Sequence, residues 1–224
     1  MISRTGQELQ RHLELNTSVC PVCSVVADSV AHYIDAVFYE LVTDPPTREA
    51  IRKAGGFCPA HARAVERQAD ALGTSLIFMD VLRNEVRSIE NGRWDRPPNT
   101  IGAVARILDG SLPSRPPCPI CREERGREEV VVDSFCEGLR APDLAAAWER
   151  SCGLCMPHFR LAFLRCRDTV AWRRILDVQR RALTDLAGEL EELARKFDYQ
   201  STDSGSAEGD TWKRALKVTS GWTQ

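Results

Sequence analysis

Eight residues carry the chemistry that stands out in this sequence. Cys20-Pro21-Val22-Cys23 is followed by Gly56-Phe57-Cys58-Pro59-Ala60-His61. The same order returns in Cys118-Pro119-Ile120-Cys121 and Gly153-Leu154-Cys155-Met156-Pro157-His158. The copies lie 97 to 98 residues apart, and 34 residues separate Cys23 from Cys58 against 33 between Cys121 and Cys155. Phe38, Glu40, Pro45 and Asp80-Val81 recur as Phe135, Glu137, Pro142 and Asp177-Val178. Two ligands separated by two residues can reach one ion while the backbone turns around it. A CxxC and a CxxH together therefore supply the four donors of a tetrahedral zinc. The expected sites are Cys20, Cys23, Cys58 and His61 in the first half, and Cys118, Cys121, Cys155 and His158 in the second. Each is a Cys3His set, giving two zinc ions per chain. The matched spacers read as the mark of closure on one ion, so each site is expected to form within its own half. An iron–sulfur cluster is the alternative occupant of such donors. Cys136 and Cys166 have no counterparts and read as core or surface thiols. Cys152 makes a second CxxC with Cys155 yet aligns with Gly55, and reads as a spare thiol beside the second site.

The elements that must position these residues read as helices. Val26, Val30, Tyr33, Val37 and Leu41 follow the three-to-four spacing of one helical face, which predicts a helix ending at Thr43. Asp44-Pro45-Pro46 supplies a cap and first-turn prolines for a short helix that closes at Gly55-Gly56. A further helix is expected from Ala60 to Leu72, stopped by Gly73. Thr74 then caps another that carries Phe78, Leu82, Val86 and Ile89 and ends at Asn91-Gly92. The second half repeats the plan, and its last helix begins near Asp168. That helix bears a seam of Trp172, Leu176, Leu183, Leu186, Leu190, Leu193 and Phe197, read as core packing or a helix partner. Each CxxC precedes a helix and each CxxH opens one, where free amides and the positive dipole end favour thiolate. The fold class is thus all-α, a two-repeat helical domain with a CxxC and CxxH metal site in each repeat. Residues 1–92 form the first repeat, 93–117 a Pro-rich linker with a short helix near 101–108, and 118–199 the second repeat. Residues 200–224 hold a polar stretch and a docking segment that contains Trp212 and Trp222.

Composition narrows the function. Against 30 basic residues stand 32 acidic ones, a net charge of -2, so no nucleic-acid partner is expected from charge. No apolar run of about 20 residues and no signal peptide are evident, which predicts a cytoplasmic protein without a membrane role. Nine cysteines in a reducing compartment point to metal rather than to disulfides. No nucleophile elbow, zincin helix or phosphate loop is present, which argues against an enzyme. His12 and His32 read as solvated or packing residues. The charge run from Arg122 to Glu129 reads as an exposed helix face.

The CPxC pair, the stretch Tyr39-Glu40-Leu41-Val42-Thr43-Asp44 and the two GxCxxH motifs resemble a bacterial and archaeal family called domain of unknown function 6062. The ending Lys196-Phe197-Asp198-Tyr199, followed by Trp212-Lys213-Arg214-Ala215-Leu216, is similar too, so the resemblance spans essentially the whole chain. It implies paired metal-ligand motifs and no assigned activity. The expected function is a non-catalytic helical protein with two structural zinc sites that presents a surface to a protein partner or small ligand. A redox or metal-sensing protein with iron–sulfur clusters or reactive thiolates is the alternative.

Overall fold

The computed structural model describes residues 3–68, 71–91, 116–196 and 210–221. The short helix expected near 101–108, Phe197, the polar stretch after Gln200 and Trp222 lie outside them. Among the described residues there is no strand. The helices are α1 (Arg4–Leu15), α2 (Pro21–Tyr39), α3 (Pro45–Ala54), α4 (Pro59–Gln68), α5 (Ala71–Glu90), α6 (Pro119–Gly138), α7 (Pro142–Glu149), α8 (Met156–Arg165), α9 (Thr169–Lys196) and α10 (Thr211–Ser220). The all-α expectation therefore holds.

Local signals account for several boundaries. The Asp44 carboxylate accepts from the N–H of Thr47 at 2.9 Å and prolines fill the first turn of α3. Gly55 closes that helix at φ 72°, a left-handed conformation that glycine adopts without strain. Asp168 caps α9 by accepting from the N–H groups of Val170 and Ala171 at 2.8 and 3.0 Å.

Other boundaries moved. Helix α2 ends at Tyr39 rather than Thr43. Helix α5 begins at Ala71 with Gly73 buried inside it. An interior glycine costs a helix about 1 kcal/mol, which tertiary packing readily overrides. The buried stripe of α9 is Ala171, Ile175, Val178 and Leu186, while Leu176 from the expected seam stays exposed.

The chain forms two compact units that cut across the sequence halves, residues 1–28 with 126–224, and residues 29–125. In the first, α1 packs on α7, and α9 packs against α7 and α10. Its core holds Leu9, Val22, Val132, Phe135, Trp148 and Ile175. Trp148 sits edge-on to Phe135 with ring centroids 4.9 Å apart, and its indole N–H donates to the Arg174 carbonyl at 3.2 Å. In the second unit, Ile34, Val37, Phe38, Ile51, Val65, Ile77, Val81 and Ile120 form one core. Phe57 bridges Phe38 and Phe78 beside it. Arg48 ties α3 to α5 through Asp80 at 2.9 Å and the Leu76 carbonyl at 3.2 Å.

Helix α2 corrects one sequence expectation. With 19 residues and a mean hydropathy of 1.2, it is long and apolar enough to cross a bilayer by length and composition. Its apolar side chains Val22, Val25, Val26, Ile34, Val37 and Phe38 are instead buried in the protein's own cores, the usual reason a soluble-type core helix passes such a test.

Candidate metal centres

All eight predicted ligands come together, but not in the predicted sets. Cys20, Cys23, Cys155 and His158 form one group, and Cys58, His61, Cys118 and Cys121 the other, with donor atoms of each group within 4.8 Å of one another. Each CxxC meets the CxxH of the opposite half, so closure within halves is overturned.

Helix lengths supply the reason. At 1.5 Å per residue, α2 carries the chain about 28 Å away from Cys20 and Cys23, and Phe57, beside Cys58, packs against Phe38 near the far end of that helix. The turn between α2 and α3 is tight, with the Asp44 N–H donating to the Leu41 carbonyl at 2.9 Å. In the second half α6 runs about 30 Å, and Trp148 of α7 packs against Phe135 near its far end. The chain that leads to each CxxH thus packs at the end of the spacer helix remote from its own CxxC, so the matched spacers reflect matched helices rather than closure on one ion.

Helix starts aim the ligands as expected. Cys20 and Cys118 precede α2 and α6, and Cys23 and Cys121 follow within the first turn. Cys58 precedes α4 and Cys155 is the N-cap residue of α8. The glycine of each GxCxxH motif has a conformational role, because Gly56 and Gly153 have φ of 99° and 82°, values that L side chains rarely adopt. At Gly153 an added Cβ would lie 2.9 Å from Gln179 Oε1. The buried Gln179 amide clamps this loop in both directions, accepting from the Leu154 N–H at 2.9 Å and donating to the Leu154 carbonyl at 3.0 Å. No spacing in the sequence singles out Gln179.

In the first group His158 Nδ1 lies 3.5, 3.3 and 3.1 Å from the sulfurs of Cys20, Cys23 and Cys155, and the Cys23 and Cys155 sulfurs are 3.6 Å apart. In the second, His61 Nδ1 lies 3.2, 3.8 and 3.2 Å from Cys58, Cys118 and Cys121, with the Cys58 and Cys121 sulfurs 3.6 Å apart. A tetrahedral zinc with ordinary bond lengths has S···S edges of about 3.8 Å and S···N edges of about 3.6 Å. Both donor sets fit that size. All four residues of the first group are buried, whereas Cys58, Cys118 and Cys121 of the second are partly exposed.

Both imidazoles also have a carboxylate behind them. His158 Nε2 faces Glu128 and His61 Nε2 faces Glu124, each at 3.4 Å. A carboxylate on the far nitrogen fixes the tautomer and raises the basicity of a ligating histidine. Glu124 and Glu128 belong to the run read from sequence as an exposed charged face, and their spacing of four on α6 is the signal that could have marked them.

Charge at the second group favours a cation. Burial, then the crowding of Cys58 and Cys118, pushes the Cys121 thiol up to about 12. At Cys58 burial acts in the same direction, but hydrogen bonds from the His61 and Ala60 backbone and the neighbouring thiols outweigh it and hold the thiol below its ordinary value. In the first group burial opposes protonation of His158, yet Cys155, Cys20, Cys23 and Glu128 together raise it. Three sulfurs this close cannot all ionise without a positive charge among them.

Cys152 belongs to neither set. It shares a small cavity beside the first group with Cys20, Cys155, Arg214 and Lys217, and burial followed by the nearby Cys20 pushes its thiol up to about 11. Helix α10 reaches the same place. Arg214 pairs with Glu189 of α9 at 2.6 Å, and an added Cβ at Gly221 would lie 3.4 Å from Pro157 and 3.8 Å from the Cys155 sulfur. Cys136 is buried, as its reading as a core thiol requires. His12 pairs with Asp28 at 3.0 Å, and His32 is exposed.

An all-helical chain with two Cys/His clusters able to hold metal is the class that fold and site define. The chain belongs to the family of unknown function DUF6062, whose profile matches residues 9–224. It is 26% identical over 183 residues to an uncharacterized 23.9 kDa protein in the xynA 3' region of Caldicellulosiruptor sp. (strain Rt8B.4), covering 81% of this chain and 84% of that relative. No solved structure matches.

Proposed function

We propose that this protein is a non-catalytic helical scaffold tied by two structural zinc ions, each held by a CxxC from one half and a CxxH from the other. Cys20, Cys23, Cys155 and His158 hold one ion, and Cys58, His61, Cys118 and Cys121 the other. The observation that carries the reading is the pair of donor sets, each with three sulfurs and one imidazole nitrogen inside 4.8 Å. Four protein donors close a zinc shell, whereas a catalytic zinc keeps a position for water. Bound there, the ion would supply folding free energy, since no such site exists in the unfolded chain. Because one set joins segments 132 to 138 residues apart in sequence and the other segments 57 to 63 apart, the ions cross-link the two halves. In this reading the protein works in the cytoplasm and offers its surface to a protein partner or small ligand.

Metal analysis with a visible spectrum tests this directly. Two colourless divalent ions per chain are expected, and a brown protein containing iron and sulfide would replace the reading with a cluster protein. The partition is tested by cobalt substitution in cysteine variants. Cys20→Ser and Cys155→Ser should perturb the same cobalt band, and Cys58→Ser and Cys118→Ser the other.

A further inference from the structure

Helix α5 is apolar on two faces. Ile77 and Val81 enter the core, but Leu82, Val86 and Ile89 of the face expected from sequence are 63%, 51% and 58% exposed. With Leu72 and Met79, at 70% and 39%, and the exposed Ser75 they form an outer row, Leu72, Ser75, Met79, Leu82, Val86 and Ile89. Its steps are three, four, three, four and three residues, the a and d positions of a heptad seam. A shallow groove lined by Ser75, Phe78, Met79, Leu82 and Val86, with Arg83 and Arg87 also on its wall, runs along it. An isolated exposed leucine needs no explanation, but a contiguous apolar row of this length does.

We propose that this row is a homodimer interface, in which α5 of a second copy of this chain packs antiparallel against it. Self-complementarity is the argument. A two-fold centred between Asp80 and Val81 sets Leu72 opposite the second copy's Ile89, Ser75 opposite Val86 and Met79 opposite Leu82, so every a position meets a d position. Flanking Glu85 then lies beside the second copy's Phe78. A parallel alignment would instead set Glu85 against the second copy's Glu90, a like-charge pair at positions that fix orientation in coiled coils. The area also suffices. The bare surface of the five apolar residues comes to roughly 500 Å² per chain, or about 1,000 Å² in a dimer, near the lower bound of specific interfaces. The inference is independent of the metal reading, because no residue of the row is a proposed ligand.

Sedimentation equilibrium of the full chain tests it. The wild type should sediment at twice the 25.1 kDa of one chain. Leu82→Glu and Met79→Lys should each weaken association at least tenfold with unchanged far-ultraviolet circular dichroism, since both side chains are exposed in the single chain. Mixing these two variants should restore a dimer, because the antiparallel register sets the new lysine opposite the new glutamate. A wild type that stays monomeric at about 100 μM, the range of weak specific association, overturns the proposal, whatever else covers the row. So does a dimer that survives Leu82→Glu. A mixture that remains monomeric overturns the antiparallel register.

Discussion

Replacing Gly153 by alanine isolates what the GxCxxH glycine does. The residue sits at φ 82°, and placing an L side chain in that region costs about 1–2 kcal/mol. The new methyl would lie 2.9 Å from Gln179 Oε1 and 3.4 Å from the Ala182 Cβ. Gln179, 2% exposed, has no free space to retreat into without loosening its two bonds to Leu154, and each such loss costs about 1 kcal/mol. Together these give about 2–4 kcal/mol, or a fall in Tm of about 5–15 °C for a chain of this size. Gly188→Ala is the control. It lies within α9 with nothing within 4 Å of the added Cβ, so the same change should stabilise by about 0.5–1 kcal/mol. Gly56→Ala should fall between them, because its backbone is strained at φ 99° but the nearest atom, on the Phe78 ring, is 3.4 Å away. Thermal and urea denaturation of the zinc-loaded proteins by circular dichroism measures all three. If Gly153→Ala costs under 1 kcal/mol, or matches Gly188→Ala, the clamp assigned to Gln179 is wrong.

Further outcomes are equally direct. Glu128→Gln and Glu124→Gln should each lower zinc affinity by about 10- to 100-fold at the site whose histidine they face while leaving helicity intact, as read by competition with a chromophoric chelator. A fragment of residues 1–92 contains one CxxC and one CxxH that belong to different sites, so cobalt titration of the monomer should show no three-sulfur, one-nitrogen spectrum; a complete spectrum would restore closure within halves. Trp148→Ala removes a fully buried side chain and should cost about 3–5 kcal/mol, measured by urea unfolding.

Much of this protein is legible in its sequence because local chemistry decides it. The cap at Asp44, the left-handed stop at Gly55 and the cap at Asp168 depend on side chains within three residues of the groups they satisfy. The eight Cys and His residues stand out for the same reason, since a CxxC or CxxH needs only a few residues of backbone to aim both donors. Glu124 and Glu128 escaped notice because a glutamate on a charged helix looks the same whether it faces water or a histidine. On α5 the sequence marks Phe78, Leu82, Val86 and Ile89 as one apolar stripe, but periodicity does not say which of two stripes meets the core.

Partner choice among the ligands was decided by tertiary structure alone. Equal spacers are consistent with closure within a half and with exchange between halves, and sequence offers no term that separates them. What separates them is distance accumulated along rigid rods. Helix α2 is 19 residues long and α3 is 10, and α6 and α7 are 20 and 8. In each half the chain leaves its CxxC along a long helix, and the donors grouped with that CxxC come from the other half of the chain.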